Sequence, residues 1–583
     1  MAEKLQEIIY PQKDICEERD MYFRTNGIVK FHNNVIEIKN KTSISFDTYF
    51  NSFSVAKWRK YTVIDNVALH IKYKGTCSII LSYHSINNGQ LTKQQIAEYQ
   101  CNAIDEEEML CDFLKLQDNG IYAFEIIANT DCYIYEMNYV TNTNYIINTP
   151  NIAIGFCTFK REKFILNNIC QLQENILNNQ QSILHDQLQI FIADNGQTLP
   201  NTINTEKIHL FWNKNYGGVG GFTRTIIEAL YRSQTKFDYI ILMDDDIVLD
   251  YRIIERTYLF LSFLKPQYRK NMIGGSMFAI EERSKQMENG AFFEPQKTKI
   301  LKKNLHLSNL KDVVENEVES ILANYNGWFY CCIPTQIIHE NNLPLPIFIH
   351  YDDIEYGVRN ALPIITINGI CVWHPTPAGK APQWMAYYDE RNKRISLLSL
   401  EKKYSIFEEI LKILKNFIIC VSRYRYTDFY LSMKAVKDFY RGANPFMHEN
   451  PESLHKQLMN QYNYKWLNLT PENPSFNNCS KKKTYFLGTL NYLIPALKKY
   501  RIVKNGNAYY NCFMAQKIVV YDTFNNRAYN LIKSYKSLIT CFILMIKTLF
   551  IVFTSYNRAT KSWSKALPQL KSLKFWYTYL NLK

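Results

Sequence analysis

Tyr239-Ile240-Ile241-Leu242-Met243-Asp244-Asp245-Asp246 is the stretch that decides the fold. Five apolar residues without alternation describe a strand buried on both faces, the habit of a parallel sheet covered by helices. Three carboxylates end it, and in such sheets ligands sit at the carboxyl ends of the strands. Crowded carboxylates repel one another, and a hard cation such as Mg²⁺ or Mn²⁺ relieves the repulsion. Alternate residues share a side of a strand, so Asp244 and Asp246 can act together. A solvated acidic turn is the plain alternative and would win for an isolated D-x-D. The end of a buried strand favours the metal.

Upstream of this strand the pattern alternates. An apolar run at Ile152–Cys157, a helical stretch at Phe164–Leu177, strands at Leu188–Ala193 and Ile208–Trp212, and a helix at Phe222–Arg232 precede it. That order predicts a right-handed α/β domain with a parallel sheet. The helix is opened by Asn213-Lys214-Asn215-Tyr216-Gly217-Gly218-Val219-Gly220-Gly221. Glycines such as Gly217 and Gly218 let backbone approach a phosphate, and Arg224 could add charge. No Gly-Lys-Ser/Thr follows, so this is not a P-loop. A turn with structural duties only is a fair rival.

Downstream, His350-Tyr351-Asp352-Asp353-Ile354-Glu355-Tyr356-Gly357 sets acids beside aromatics. A carboxylate here could take the proton of an attacking sugar hydroxyl. Acids also favour the first turn of a helix, and both hold if Asp352 caps while Asp353 reacts. Cys371-Val372-Trp373-His374-Pro375 offers an imidazole at another strand end. A lone histidine is more often structural, and His374 gains weight from its place in the series.

Residues 26–145 read as β, with period-two stretches at Val29–Phe31, Val35–Ile38, Ser43–Phe46, Val67–Tyr73, Cys77–Tyr83 and Ile121–Ile127. Short strands with Asn/Gly turns predict a β-sandwich over 1–150. Thr48–Phe53 and Trp58–Lys60 are either a sugar-contacting face or sandwich core and rim. From about residue 400 helical spacing takes over, as at Ile406–Ile418 and Leu531–Phe553. The chain is therefore divided into 1–150, 151–399 and 400–583.

The chain has 583 residues, a net charge of +14 and 14 cysteines. Residues 401–583 hold 29 Lys and Arg against 9 Asp and Glu, a net +20, while the first 400 are net −6. From Thr523 onward there are ten Lys/Arg and no acid. Such asymmetry suits an anionic surface, nucleic acid or a membrane leaflet. No recognisable nucleic-acid module accompanies the charge, so no nucleic acid is expected. The apolar run Leu538–Phe553 has 16 residues and includes Lys547. It is short for a span and reads as a buried or interfacial helix. Met1–Gln6 has no apolar h-region, and the scattered cysteines contain no C-x-x-C; both fit reduced thiols in the cytoplasm.

The series Thr158–Arg161, Gly217–Arg224, Asp244–Asp246, Tyr325-Asn326-Gly327-Trp328-Phe329, Asp352–Gly357 and Trp373-His374 resembles the bacterial galactofuranosyltransferases, best the galactan-polymerising type of mycobacterial cell walls. The resemblance covers roughly 151–395 and extends to Phe50–Trp58 and Lys574–Leu580. It implies an inverting transferase with the GT-A nucleotide-sugar fold, using a UDP-sugar donor. It implies a metal held by Asp244, Asp246 and His374, with Asp353 as general base. Arg161, Asp194, Asn195, Asn215 and Asp245 would meet the nucleotide sugar. Trp328, Phe329, Trp384, Asp352, Glu288 and Asp389 would shape the acceptor site. Three positions depart from the family type. Phe329 stands for a second Trp, Asp389 for a His, and Ala291 for an acid that Glu288 would replace. They leave the acceptor, the linkage and polymerising versus single addition open. The expected acceptor is a glycan, lipid-linked, met at the inner face of the membrane by the basic C-terminal region; homo-oligomers are compatible with the sequence. Another UDP-sugar, such as UDP-galactopyranose, is the alternative donor. A non-catalytic carbohydrate-binding protein is the alternative class, and the acids, the imidazole and the glycine loop argue against it.

Overall fold

The computed structural model describes residues 2–32, 35–113, 115–142, 147–295, 297–376, 382–461, 464–467, 476, 480–506, 509–510, 512–522 and 526–582. It is a mixed α/β protein with several sheets. The chain forms two compact units. The first is Met1–Lys214, Gly221–His339 and Asn360–Thr376; the second is Asn215–Gly220, Glu340–Arg359 and Pro377–Lys583. The expected boundary near residue 150 lies inside the first unit.

In the N-terminal part of the first unit, nine strands join in one hydrogen-bonded network. Val67–Asn87 is a single 21-residue strand, where two separate strands were expected. It pairs antiparallel with Gln90–Phe113, Ile121–Ala128 and Cys132–Thr141. Gln90–Phe113 escaped the sequence reading because its outer positions are polar and acidic. Register buries only alternate side chains such as Cys101 and Cys111, while ion pairs such as Lys72–Glu106 at 2.9 Å line the other face. The aromatic segment is core: Tyr49, Phe50, Phe53 and Trp58 are at most 1% exposed, which removes a sugar-contacting role for them.

The same aromatics seat this network on the central sheet. Tyr49 meets Phe278 edge-on with ring centres 5.1 Å apart, and Phe50 lies 6.0 Å from Trp373. Buried Arg256 donates to the carbonyls of Phe50 at 2.7 Å and Glu7 at 3.1 Å.

The central strands are β1 (Ile152–Thr158), β2 (Leu188–Asp194), β3 (Ile208–Trp212), β4 (Tyr239–Asp244), β5 (Ile273–Ala279), β6 (Glu282–Glu288), β7 (Cys331–Pro334) and β8 (Ile365–His374). The order is β3-β2-β1-β4-β7-β5-β6, with β8 also on β5. β1 to β4 are parallel, as expected. β7 is antiparallel to β4 and β5, and β6 is antiparallel to β5. The sheet as a whole is therefore mixed, and its parallel part is the four strands that the alternating pattern covers. The chain runs β1, β2, β3 outward and returns to the other side of β1 with β4, so the direction reverses at β1 and β4. Ligand crevices form at such a point.

Helices α1 (Glu162–Leu172), α2 (Gly217–Ile227) and α3 (Arg252–Ser262) follow β1, β3 and β4. The glycine stretch is the first turn of α2 rather than a loop before it. Small residues permit this contact: a Cβ on Gly221 would clash with the Cys157 thiol, and one on Gly155 with the Thr225 hydroxyl.

The second unit is helical, with α4 (Asp352–Arg359), α5 (Met385–Ser399), α6 (Ile406–Val421), α7 (Tyr426–Tyr440), α8 (Tyr535–Leu570) and α9 (Leu573–Tyr579) among its helices. It also contains a three-stranded sheet of Arg501–Lys504, Lys517–Asp522 and Arg527–Ile532. The expected helix from Leu531 accordingly starts at Tyr535. Ser534 ends the strand segment and caps the helix by accepting from the Ser537 amide.

Candidate functional site

Strand register brings the first unit's polar residues to one edge. Cys157 pairs with Asp244, and Thr158 with Asp194, so β1, β2 and β4 end level. β8 ends at His374 beside Ala279 of β5. His374 Nε2 lies 3.2 Å from Asp246 and 3.9 Å from Asp244. One donor atom from each of Asp244, Asp246 and His374 falls within 4.8 Å of the others.

The tautomer of His374 is set locally. Its Nδ1 is 2.8 Å from the Pro375 carbonyl, which places a proton on Nδ1 and turns Nε2 to the aspartates; the charged ring donates from Nε2, and loss of that proton would free a lone pair there. Burial pushes the Asp244 carboxyl up to about 7, against the pull of His374. Asp246 is held low despite burial, by its hydrogen bond to His374 and by the charges of His374 and Arg161. Two carboxylates and a bare imidazole nitrogen are the donor set of a divalent cation.

Asp245 faces away from this trio. It accepts from the Thr158 hydroxyl at 2.8 Å and from Arg161 at 3.1 Å. Asn168 of α1 donates to the Asp245 and Ile247 carbonyls at 3.2 and 3.1 Å. Arg161 also reaches Asp246 at 2.6 Å and is half exposed. Asn168 was not singled out from sequence; Thr158 opens the quoted Thr158–Arg161 stretch but was given no role there, and its place is the end of β1.

Two other candidates carry local duties. Asp194 is fully buried and accepts from the amides of Gly196, Thr198 and Leu199 at 2.9, 2.6 and 2.8 Å. It shapes the loop after β2, whose Asn195 accepts from the buried Asn213 amide at 2.9 Å. Arg224 is bound to buried Glu228 at 2.7 Å and lies over the Phe211 ring. Trp328 is buried, edge-on to Phe222 at 5.4 Å, and Phe329 is buried next to it. Glu288 sits on β6 opposite Met277, whose other neighbour is Val372 of β8.

In the second unit, Asn215 accepts from the Gly217 amide at 3.1 Å. Gly217 has φ +75°, and a Cβ there would strike the Phe348 carbonyl oxygen. Gly218 has open space where a Cβ would stand. Phe348, His350 and Tyr351 all have positive φ, at 75°, 64° and 71°. Three such residues in four are costly and persist only under outside restraint. Asn392 supplies it by donating to the carbonyls of Ile347, Ile349 and His350 at 2.9, 2.6 and 3.1 Å.

This turn delivers Asp352 and Asp353 to the first turn of α4. Both are partly exposed. Burial, then the charge of Asp353, push Asp352 up to about 7. His350 Nδ1 stands 2.8 Å from Asp389 of α5. Beside them Phe348 stacks on Tyr388 at 5.3 Å, and Trp384 meets His455 edge-on at 4.7 Å. His350, Asn392 and His455 were not among the expected site residues. Of these only His350 carried a signal, standing in the quoted acidic stretch.

Residues 5–142 match the family model described as Galactofuranosyltransferase 2 N-terminal. Over 385 residues the chain is 28% identical to galactofuranosyltransferase GlfT2 of Mycobacterium tuberculosis, covering 62% of this chain and 59% of that protein. Over 437 residues it is 26% identical to GlfT2 of Mycolicibacterium smegmatis, covering 70% of this chain and 65% of that protein. The chain thus spans less than two thirds of the length of these relatives. A solved mannosyltransferase of Pyrobaculum calidifontis, in complex with GDP-Man and Mn²⁺, is 9% identical. It covers 54% of this chain and 80% of its own, with a TM-score of 0.29, too low to carry an argument.

Proposed function

We propose that this chain, a relative of the galactofuranosyltransferases, transfers galactofuranose from UDP-galactofuranose to a glycan acceptor with inversion, in the building of a cell-surface polysaccharide. The observation that carries the reading is the convergence of Asp244, Asp246 and His374 where the sheet changes direction. In this reading 1–150 is a β-sandwich, 151–399 a GT-A nucleotide-sugar domain and 400–583 a basic, mainly helical domain. The acceptor is lipid-linked and met at the cytoplasmic face of the membrane.

The reaction is one in-line displacement. The acceptor hydroxyl oxygen attacks the anomeric carbon while Asp353 takes its proton. The bond to the diphosphate oxygen breaks, and UDP leaves with the electron pair, so no general acid is needed. A Mn²⁺ or Mg²⁺ bound to Asp244, Asp246 and His374 would neutralise the diphosphate charge. Arg161 holds Asp245 and Asp246 in place and adds positive charge at the same edge. Trp328, Phe329, Trp384 and Glu288 select the acceptor, and Asp389 acts through His350.

Titration calorimetry of UDP with Mn²⁺ tests this. Binding that EDTA removes, and that Asp246→Ala weakens more than about tenfold, or about 1.4 kcal/mol, is the expected result. Equal affinity in EDTA would overturn the metal assignment.

A further inference from the structure

Asn316 stands at the centre of a buried chain of side-chain amides in the first unit. Asn368 Nδ2 donates to the Val313 carbonyl at 3.0 Å, and Asn316 Nδ2 donates to Asn368 Oδ1 at 2.8 Å. Asn316 Oδ1 in turn accepts from Gln286 at 2.8 Å and from Asn289 at 3.1 Å. A backbone carbonyl can only accept, so the Val313 end fixes the direction of every amide in the chain. Asn289 is 3% exposed, and its Oδ1 is left without a hydrogen-bond partner among the described residues. A buried acceptor in that position is costly and calls for a reason.

Asn289 lines a cavity of about 130 Å³ whose walls carry three cations, Lys57, Lys299 and Lys302. The Lys57 side chain, from the helix Val55–Tyr61, is 4% exposed; it donates to the Thr366 carbonyl at 2.7 Å and pairs with Glu319 at 3.0 Å. Lys302 uses one of its three protons on the Glu315 carbonyl at 2.6 Å. Burial, and then the charges of Lys57 and Lys299, lower the Lys302 pKa against the pull of Glu315 and Glu317. Lys299 is exposed. Among the described residues Glu319 is the one acid in the lining, and Lys60 also holds it, at 2.5 Å. Leu301 and Ile364 add apolar wall. The cavity is distinct from the Asp244–Asp246–His374 group. Thr366 pairs with Gly274 of β5, and His374 with Ala279, five residues further on. At about 3.3 Å per residue, Thr366 lies roughly 17 Å back along the sheet from His374.

We propose that this cavity is a second ligand site, for a small hydroxylated anion of the sugar-phosphate class. A sugar hydroxyl donates to Asn289 Oδ1, phosphate oxygens accept from Lys302 and Lys299, and the C–H groups of the ring lie on Leu301 and Ile364. Water would serve Asn289 alone, whereas three ammonium groups around one shared carboxylate favour a negative charge. A cavity of roughly 150 Å³ takes a six-membered ring, so this one holds a single sugar ring with its phosphate toward exposed Lys299. The inference stands on the amide chain and the cavity, and does not rest on the galactofuranosyl reading.

The test is titration calorimetry of the full chain with galactose 1-phosphate, galactose and inorganic phosphate, in EDTA so that no divalent cation takes part. The expected result is saturable binding of the ester, tighter than either fragment by about tenfold or more. Asn289→Ala and Lys302→Met should each weaken it by about tenfold or more. Lys299→Glu, at an exposed position, should weaken it without changing the melting temperature of the free chain, and so keeps the test valid if a buried variant fails to fold. Asp246→Ala should leave it unchanged. No binding of the ester would overturn the proposal and leave the cavity to water. Inorganic phosphate binding as tightly as the ester would overturn it as an adventitious ion only, and galactose binding as tightly would remove the role of the cations. Loss in Asp246→Ala, with binding kept in Lys299→Glu and Lys302→Met, would overturn it by assigning the ester to the Asp244–Asp246–His374 group.

Discussion

The imidazole of His350 and the carboxylate of Asp389 stand 2.8 Å apart, joining the turn before α4 to the second turn of α5. His350 lies in the left-handed region, so the pair holds a strained backbone that leads directly to Asp352 and Asp353. Where the resembling family type has a histidine, this chain has an aspartate with a histidine as its partner. Although burial opposes it, Asp389 raises the His350 pKa above 6.5.

The sign of the resulting pH dependence follows. A raised folded pKa gives stability that is complete below about pH 6.5 and is lost as pH rises through the folded value. Both side chains are more than one third exposed, so the pair contributes about 1 kcal/mol or less. Asp389→Asn should lower the melting temperature at mildly acidic pH and have little effect at alkaline pH. An equal loss at both would show that Asp389 acts by packing.

Asp353→Asn should lower transfer by about 10²–10⁴-fold, the range of a lost general base. Metal-dependent UDP binding should stay within a factor of about two, since the donor site has its own ligands. Single-turnover rates with calorimetry separate the two effects.

The neighbouring carboxylate predicts a pH profile. Asp352 is pushed to about 7 by burial and by Asp353, so the pair keeps a proton until near neutrality. The rate should rise with pH through about 7. Asp352→Asn removes the repulsion and should move the acid limb of kcat/KM to lower pH. An unmoved limb would assign the titration to another group.

Gly217→Ala should be costly. It places a Cβ on a residue with φ +75° and against the Phe348 carbonyl, for a loss of at least about 1 kcal/mol. A lower melting temperature with weaker UDP binding is expected. Gly218→Ala, where space is open, serves as the control.

Arg256 links the N-terminal strand network to α3 through the carbonyls of Glu7 and Phe50. Arg256→Ala leaves both without these donors in a buried setting, a loss of about 3 kcal/mol. The melting transition of the first unit should fall, and 1–150 should not melt apart from the central sheet.

Part of the candidate site was legible because strand ends are local signals. A buried run closing in acids marks both the strand and its polar end at Asp244–Asp246, while the family resemblance joined His374 to them before the register was known. The acidic stretch at Asp352 was legible as the acid-rich first turn of a helix. What sequence did not reveal depends on which partner a side chain finds. Asp194 and Arg224 read as nucleotide contacts, yet Asp194 is answered by the amides of Gly196, Thr198 and Leu199 and Arg224 by Glu228. Asn392 and His455 carry no local pattern, and only folding brings them to the turn at His350. The polar Gln90–Phe113 strand is long because Val67–Asn87 templates it, and the antiparallel β7 joins a sheet whose parallel core alone was visible. The apolar run in α8 was read as buried or interfacial, and only 22% of its most apolar window is buried.

The most direct measurement is UDP release from UDP-galactofuranose by the purified chain, with Mn²⁺ and a galactofuranoside acceptor, with and without EDTA. Release that needs metal, rises with acceptor and is not matched by UDP-galactose or UDP-glucose is the predicted result. Equal release from a pyranose donor would contradict the galactofuranosyl assignment, and release unaffected by EDTA would contradict the Asp244–Asp246–His374 site on which it rests.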